Sequence, residues 1–161
     1  MAIASVLTDS FKTELMRSGH NFDTAGATPA GNAFKLALYT SSANLGTTTT
    51  VYSATNEITN DAGTAYSAGG KALTNSGVTT STVTSHTDFA DLSVANGTAW
   101  TSASFTTRGC LIYNTSIVSG FTNNRAVCSI DFGGDKTVSN GTFSIEFPTN
   151  SSSAAIIRLT S

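Results

Sequence analysis

Hydrophobic and polar residues alternate with a period of two in two neighbouring segments near the end of the chain, residues 125–132 and 142–147. The first of these segments places a hydrophobic side chain at every second position, namely Ala126, Cys128, Ile130 and Phe132. Such alternation buries one face of a strand and leaves the other in water, which predicts antiparallel strands. Between the segments, Gly133-Gly134-Asp135 and Asn140-Gly141 predict turns, because Gly and Asn adopt positive φ at little steric cost.

Other segments of the chain also have the composition of strands. They are residues 34–39, 47–52, 78–83, 87–92, 100–105, 110–114 and 155–159. Residues 78–83 and 87–92 are placed to pair with each other, and residues 56–72, with two glycine-bearing stretches, predict an exposed excursion. About eight short strands separated by turn residues, without alternating helices, predict an all-β fold: an antiparallel β-sandwich or a jelly-roll-like barrel.

A helical pattern precedes the strands. It consists of hydrophobic residues that recur at positions i, i+3, i+4, i+8 and i+12, namely Ile3, Val6, Leu7, Phe11 and Leu15. This stripe, followed by Gly19 as a stop signal, predicts one N-terminal α-helix over residues 4–18. We therefore expect a single domain over residues 1–161, with the helix inside 1–20 and the β-sandwich at 33–161. The helix either packs on its own domain or contacts a neighbouring molecule through Ile3, Leu7, Phe11 and Leu15.

Composition narrows the possible partners. Only 11% of the 161 residues are charged, against about 25% in an average domain, and 28 Thr and 22 Ser fill much of the difference. The net charge is −2 and the basic residues are scattered, so we expect no nucleic-acid partner, which would need a basic patch. No apolar run approaches the roughly 20 residues that span a membrane. The N-terminus lacks the basic residues of a secretion signal, which predicts synthesis and assembly in the cytoplasm.

Residues capable of chemistry are present, but they form no recognisable motif. His20 and His86 are the only histidines, and neither has a partner at metal-ligand spacing. The triplet Asp131-Phe132-Gly133 occurs without the other motifs of a protein kinase. The carboxylate pairs Asp88/Asp91 and Asp131/Asp135 are more typical of turns than of acid–base or calcium sites. We therefore predict no catalytic residue, no metal, no cofactor and no enzymatic activity.

Four residues leave two interpretations open. Cys110 and Cys128 are expected to be reduced and buried, although neighbouring strands could also bring them within reach of a disulfide. Trp100 and Tyr113 are expected to lie in the core. Alternatively, they anchor an interface, because both combine a large apolar area with a polar group.

The segment from Phe105 to Pro148 resembles a group of small virion proteins of tailed phages. The motifs that carry the resemblance are Arg108-Gly109, Leu111–Asn114, Asn124–Val127, Asp131–Gly133, Asp135-Lys136, Val138 and Gly141–Phe143. Upstream segments are similar as well, at Phe11–Leu15, Phe34–Gly46 and Tyr66–Leu73. The resemblance thus covers most of the chain, and this family has no catalytic signature to transfer.

The resemblance implies a structural protein of the virion, most specifically a capsid decoration (cement) protein on the head surface. Its partners would be the lattice of the major capsid protein and further copies of itself. A trimer on three-fold positions is expected, because closed symmetry lets one patch satisfy every partner. The helix at 4–18 and the excursion at 56–72 are the candidate shell contacts. Alternatives are a tail, head-completion or fibre-associated subunit, or a carbohydrate-binding β-sandwich using Trp100 with Asp88 and Asp91.

Overall fold

The computed structural model describes residues 2–59 and 65–161. In this part of the chain one short helix accompanies eight strands. In chain order the elements are β1 Val6–Leu7, α1 Asp9–Met16, β2 Phe34–Tyr39, β3 Lys71–Leu73, β4 Asn75–Ser81, β5 Thr84–Phe89, β6 Trp100–Asn114, β7 Arg125–Phe143 and β8 Ile157–Thr160. All pairs of neighbouring strands are antiparallel, in a five-stranded sheet ordered β1-β7-β6-β2-β3 and a three-stranded sheet ordered β4-β5-β8. The predicted all-β, sandwich-like fold with one N-terminal helix is confirmed.

A long hairpin of β6 and β7 forms the centre of the larger sheet. Asn114 pairs with Arg125 at its closed end and Trp100 pairs with Phe143 at the other. Two predictions are therefore wrong: residues 100–105 and 110–114 belong to one strand, and the chain does not reverse at Gly133-Gly134 or Asn140-Gly141. The hairpin contains several register shifts. Gly133 and Asn140 have φ of 74° and 46°, so positive φ here kinks a continuing strand.

Both faces of the larger sheet are covered over β2 and the first half of β7. Phe34, Leu36 and Leu38 face the core shared with the smaller sheet, whereas Ala37 and Tyr39 pack into a second cluster on the opposite face. That second cluster also contains Ile3, Leu45, Leu111, Tyr113 and Ala126. Val127, predicted to face water, packs instead in the core shared with the smaller sheet, and Ser129 is buried as well. The prediction that residues 125–132 bury one face and expose the other to water is wrong, because residues outside the sheet cover the second face.

The N-terminal helix is shorter than predicted. Val6 and Leu7 pair with Ser129 and Cys128 as strand β1, and Ile3 forms a bridge with Leu45. The helix begins only at Asp9, because the Thr8 side chain accepts a hydrogen bond from the Phe11 amide at 3.2 Å and caps it. It ends at Met16, and the Gly19 amide donates to the Glu14 carbonyl at 2.7 Å. The predicted start at residue 4 is wrong, because positions 3, 6 and 7 match a helical spacing within an extended segment.

Three other segment predictions can be compared with the structure. Residues 47–52 are not a strand: a turn occupies 46–49, and Val51 makes only an isolated bridge to Arg125. The pairing of 78–83 with 87–92 is confirmed in outline by β4 and β5. The predicted exposed excursion at 56–72 is confirmed in part: six of its twelve described residues are exposed, whereas Glu57, Ile58, Tyr66 and Gly69 are buried. Residues 60–64 of that excursion lie outside the described residues.

Candidate interaction surface

The two sheets are joined along one side and end apart along the other. On the joined side, β3 runs into β4, and the Ala90 amide donates to the Thr74 carbonyl at 2.9 Å. On the opposite side the larger sheet ends at β7, with β1 covering only two of its residues, and the smaller sheet ends at β8. Residues before β8 extend this second edge, because Ile145 forms an antiparallel bridge with Leu92. The space between the two edges is open.

A groove of about 520 Å³ lies on this open side, where β7 ends and the following segment begins. Its walls are mainly the half-buried side chains Phe132, Phe143, Ile145, Phe147 and Ile156. A second depression, of about 330 Å³, adjoins it and shares Ile130 and Ile156 with it. The two therefore form one apolar channel between the sheet edges.

The channel continues onto the helix. A depression of about 420 Å³ lies between α1 and β8, and it is lined by Leu7, Leu15, Met16 and Leu159. A smaller one of about 90 Å³ extends it to Val78. Together these surfaces make one strip, which we call the apolar band. Its residues are Leu7, Leu15, Met16, Val78, Ile130, Phe132, Phe143, Ile145, Phe147, Ile156 and Leu159.

Three members of the apolar band are unusually exposed for large hydrophobic residues. Met16 is 83% exposed, Leu159 53% and Val78 51%. Leu159 and Ile157 alternate with Arg158 along β8, so both point toward α1; Ile157 is buried there, whereas Leu159 lies in the depressions beside the helix. A contiguous apolar patch of this kind marks an interaction site more often than a single exposed side chain does.

Charged side chains flank the apolar band. Lys136 on the β7 edge and Glu146 on the opposite edge both line the large groove. Nearby, the Arg108 guanidinium binds the Asp131 carboxylate at 2.8 Å and lies 3.9 Å from Asp135. The hydrogen bond from Arg108 holds the pKa of Asp131 below its usual value. The rim of the band thus carries fixed charges of both signs.

A buried polar cluster sits behind the helix, away from the band. The Asn114 amide donates to Nδ1 of His20 at 3.1 Å, which leaves Nε2 to donate to Glu14 at 2.9 Å. The fully buried Arg125 lies 3.5 Å from the same carboxylate and donates to the Gly19 carbonyl at 2.7 Å. Burial, together with the charge of Arg125, lowers the pKa of His20 to about 4. Every contact here joins the end of α1 to the β6–β7 hairpin, which indicates a structural role.

A second buried cluster surrounds Glu57. Its carboxylate accepts hydrogen bonds from the Tyr52 hydroxyl at 2.6 Å, the Tyr66 hydroxyl at 2.7 Å and the Gly69 amide at 2.7 Å. The Tyr113 hydroxyl donates to the Gly69 carbonyl at 2.7 Å, and burial raises the pKa of Tyr113 to about 12. Together with the bond from the Leu38 amide to the Tyr66 hydroxyl, these bonds attach residues 52–59 and 65–70 to the larger sheet. We assign this cluster to stability as well.

The residues proposed from sequence as contacts occupy two different environments. Leu7 and Leu15 belong to the apolar band, and Phe11 lies buried directly beneath it. Ile3, Trp100 and Tyr113 are buried in the cores of the subunit. Trp100 stacks on Tyr66 and meets Phe143 edge to face, so for Trp100 and Tyr113 the core interpretation holds. Sequence analysis missed Met16, Val78 and Leu159, because they lie on three different elements that only the tertiary structure brings together.

The residues suggested for carbohydrate binding, Trp100 with Asp88 and Asp91, do not form an exposed cluster. Asp88 is buried and accepts hydrogen bonds from the Phe89 and Ile156 amides, and Asp91 accepts one from the Phe147 amide. With Trp100 also buried, these residues form no exposed aromatic and acidic edge.

The described residues also bear on the cysteines, on metal sites and on membrane spans. Cys110 and Cys128 are both free and buried, and burial raises the pKa of Cys128 to about 12. Within residues 2–59 and 65–161 no group of three His, Cys, Asp or Glu side chains is arranged to hold a metal ion. In the same residues no helix is both long and apolar enough to cross a membrane. Comparison with protein-family models, curated proteins and solved structures returned no match.

Proposed function

We propose that this chain is a structural subunit of a phage virion, most specifically a decoration protein that binds the assembled capsid lattice and stabilises the head. The observation that carries the proposal is the apolar band. It is a large hydrophobic surface on a chain that is otherwise rich in hydroxyl groups, and such a surface is suited to burial in an assembly.

The sequence resemblance supports the same proposal through the framework of the fold. Its most specific residues lie in the β6–β7 hairpin, where Leu111, Ile112, Asn114, Arg125 and Val127 are fully buried. The shared motif therefore specifies the framework of the fold. A framework of this kind suits a subunit with a mechanical role. Such a subunit would reinforce a repeating shell through many weak and equivalent contacts.

Copy number in purified virions tests the proposal. Quantitative mass spectrometry against the major capsid protein would give hundreds of copies per particle for a decoration protein. A handful of copies would point to a tail, head-completion or fibre-associated subunit. Absence from the particle would refute the proposal as a whole. Adding the purified chain to heads that lack it, followed by heating, would then show whether binding raises the temperature at which the heads open.

A further inference from the structure

We propose that the apolar band is covered by the same band of a second copy of this chain, with the β7 edge of one copy against the β8 edge of the other. The proposal deepens the function proposed above, because it assigns the contact between copies to a defined surface.

The area of the band is close to what such an association requires. At roughly 200 Å² for a whole side chain, Met16, Leu159 and Val78 together expose on the order of 350 Å². The eight half-buried members add roughly another 300 Å². The sum approaches the ~800 Å² per partner of a standard interface, so the band alone supplies most of a stable contact.

Free strand edges lie on both flanks of the band. In the part of the chain that the structure describes, β1 covers only Cys128 and Ser129 of β7, and no strand pairs with the edge of β7 from Phe132 to Phe143. Within residues 2–59 and 65–161, β8 is the last strand of the smaller sheet and pairs only with β5. Unpaired edges are templates for strand addition unless something covers them. Each copy thus carries both halves of an edge-to-edge contact.

The rim charges fit the same arrangement. On the β7 flank Lys136 lines the large groove, and on the opposite flank Glu146 lines it. When the β7 flank of one copy meets the opposite flank of the other, Lys136 of one copy faces Glu146 of the other. A foreign partner would have to supply this pattern, whereas a second copy already has it. This complementarity is the reason for choosing a second copy over another protein.

Sedimentation velocity over a range of concentrations tests the inference. We expect the wild-type chain to form an oligomer that Met16→Asp and Leu159→Asp weaken at least ~100-fold, because each places a charge within the buried area. Ile117→Asp is the matched control: Ile117 is 84% exposed, like Met16, but lies outside the band. Circular dichroism and thermal melting verify that all three variants fold.

Cross-linking locates the contact. A carbodiimide applied to a mixture of 14N- and 15N-labelled protein is expected to join Lys136 of one isotope to Glu146 of the other. A wild-type chain that stays monomeric, an oligomer that only Ile117→Asp disrupts, or cross-links confined to one isotope would each overturn the inference. None of these results changes the copy number in virions. Failure of this inference and failure of the proposed function are therefore distinguishable.

Discussion

Acid sensitivity of the buried cluster around His20 provides a direct test of the structure. The imidazole is enclosed by the rings of Phe11, Phe22 and Phe34, and Arg125 adds a positive charge nearby. The folded chain therefore keeps His20 neutral until the pH approaches 4, whereas the unfolded chain protonates it near 6.5. Between these two values the unfolded state binds more protons, so stability falls as the pH is lowered.

The magnitude follows from the two pKa values. Stability from this group is complete above pH 6.5 and is lost progressively down to about pH 4. At about 1.4 kcal/mol per pKa unit, the loss amounts to roughly 2–3 kcal/mol at pH 4.5. Burial also raises the pKa of Glu14, and this shift has the opposite sign, since that carboxyl takes up a proton more readily in the folded chain. The wild-type pH profile alone therefore understates the effect of His20.

His20→Gln removes the titration while keeping a polar group beside Glu14. Urea unfolding of both proteins at pH 7.5 and pH 4.5 gives four free energies of unfolding. We expect the wild type to lose roughly 2–3 kcal/mol more than the variant between the two pH values. Equal losses in the two proteins would mean that His20 is not held neutral by burial. The reasoning about this cluster would then be wrong.

Three further predictions concern stability and accessibility. Glu57→Gln should lower the free energy of unfolding by about 3 kcal/mol in urea titrations, because a charged acceptor of three hydrogen bonds is lost. Gly70→Ala should lower the free energy of unfolding by more than about 3 kcal/mol, because a Cβ there would lie 1.8 Å from a carbonyl oxygen of β2. Gly133→Ala has a similar positive φ but open space, so it should lower the free energy of unfolding by about 1 kcal/mol. Equal melting temperatures of the two variants would contradict this prediction. Cys110 and Cys128 should react with a thiol reagent only on unfolding, so rapid labelling of native protein would refute their burial.

The class of fold could be predicted from the sequence because period-two alternation and turn residues act locally. The same local signals misplaced the hairpin. Gly133-Gly134 and Asn140-Gly141 have the composition of turns, yet β7 continues through both with local kinks. Positive φ is compatible with a bulge as well as with a reversal, and only the pairing partner decides between them. That partner, β6, lies up to 43 residues away along the chain.

The candidate surface was less accessible to sequence analysis than the fold. Leu7 and Leu15 were found because they belong to an apparent helical stripe, although Leu7 is in fact part of β1. Met16 and Leu159 lie on different elements at opposite ends of the chain. They become neighbours only because β8, which pairs with β5, lies beside α1. A patch assembled from such distant positions has no sequence period. Its recognition required the tertiary structure.

Low charge and the apolar band have a joint consequence for assembly. With a net charge of −2 and 11% charged residues, copies of the chain repel one another only weakly. Long-range electrostatic repulsion therefore does little to oppose contact between the apolar bands of two copies. Added salt consequently has little repulsion to screen. We expect the self-association to persist from low to moderate ionic strength and to weaken with cooling, as burial of apolar surface does. An association that instead vanished at 0.5 M salt would show that the rim charges, and not the band, hold the copies together.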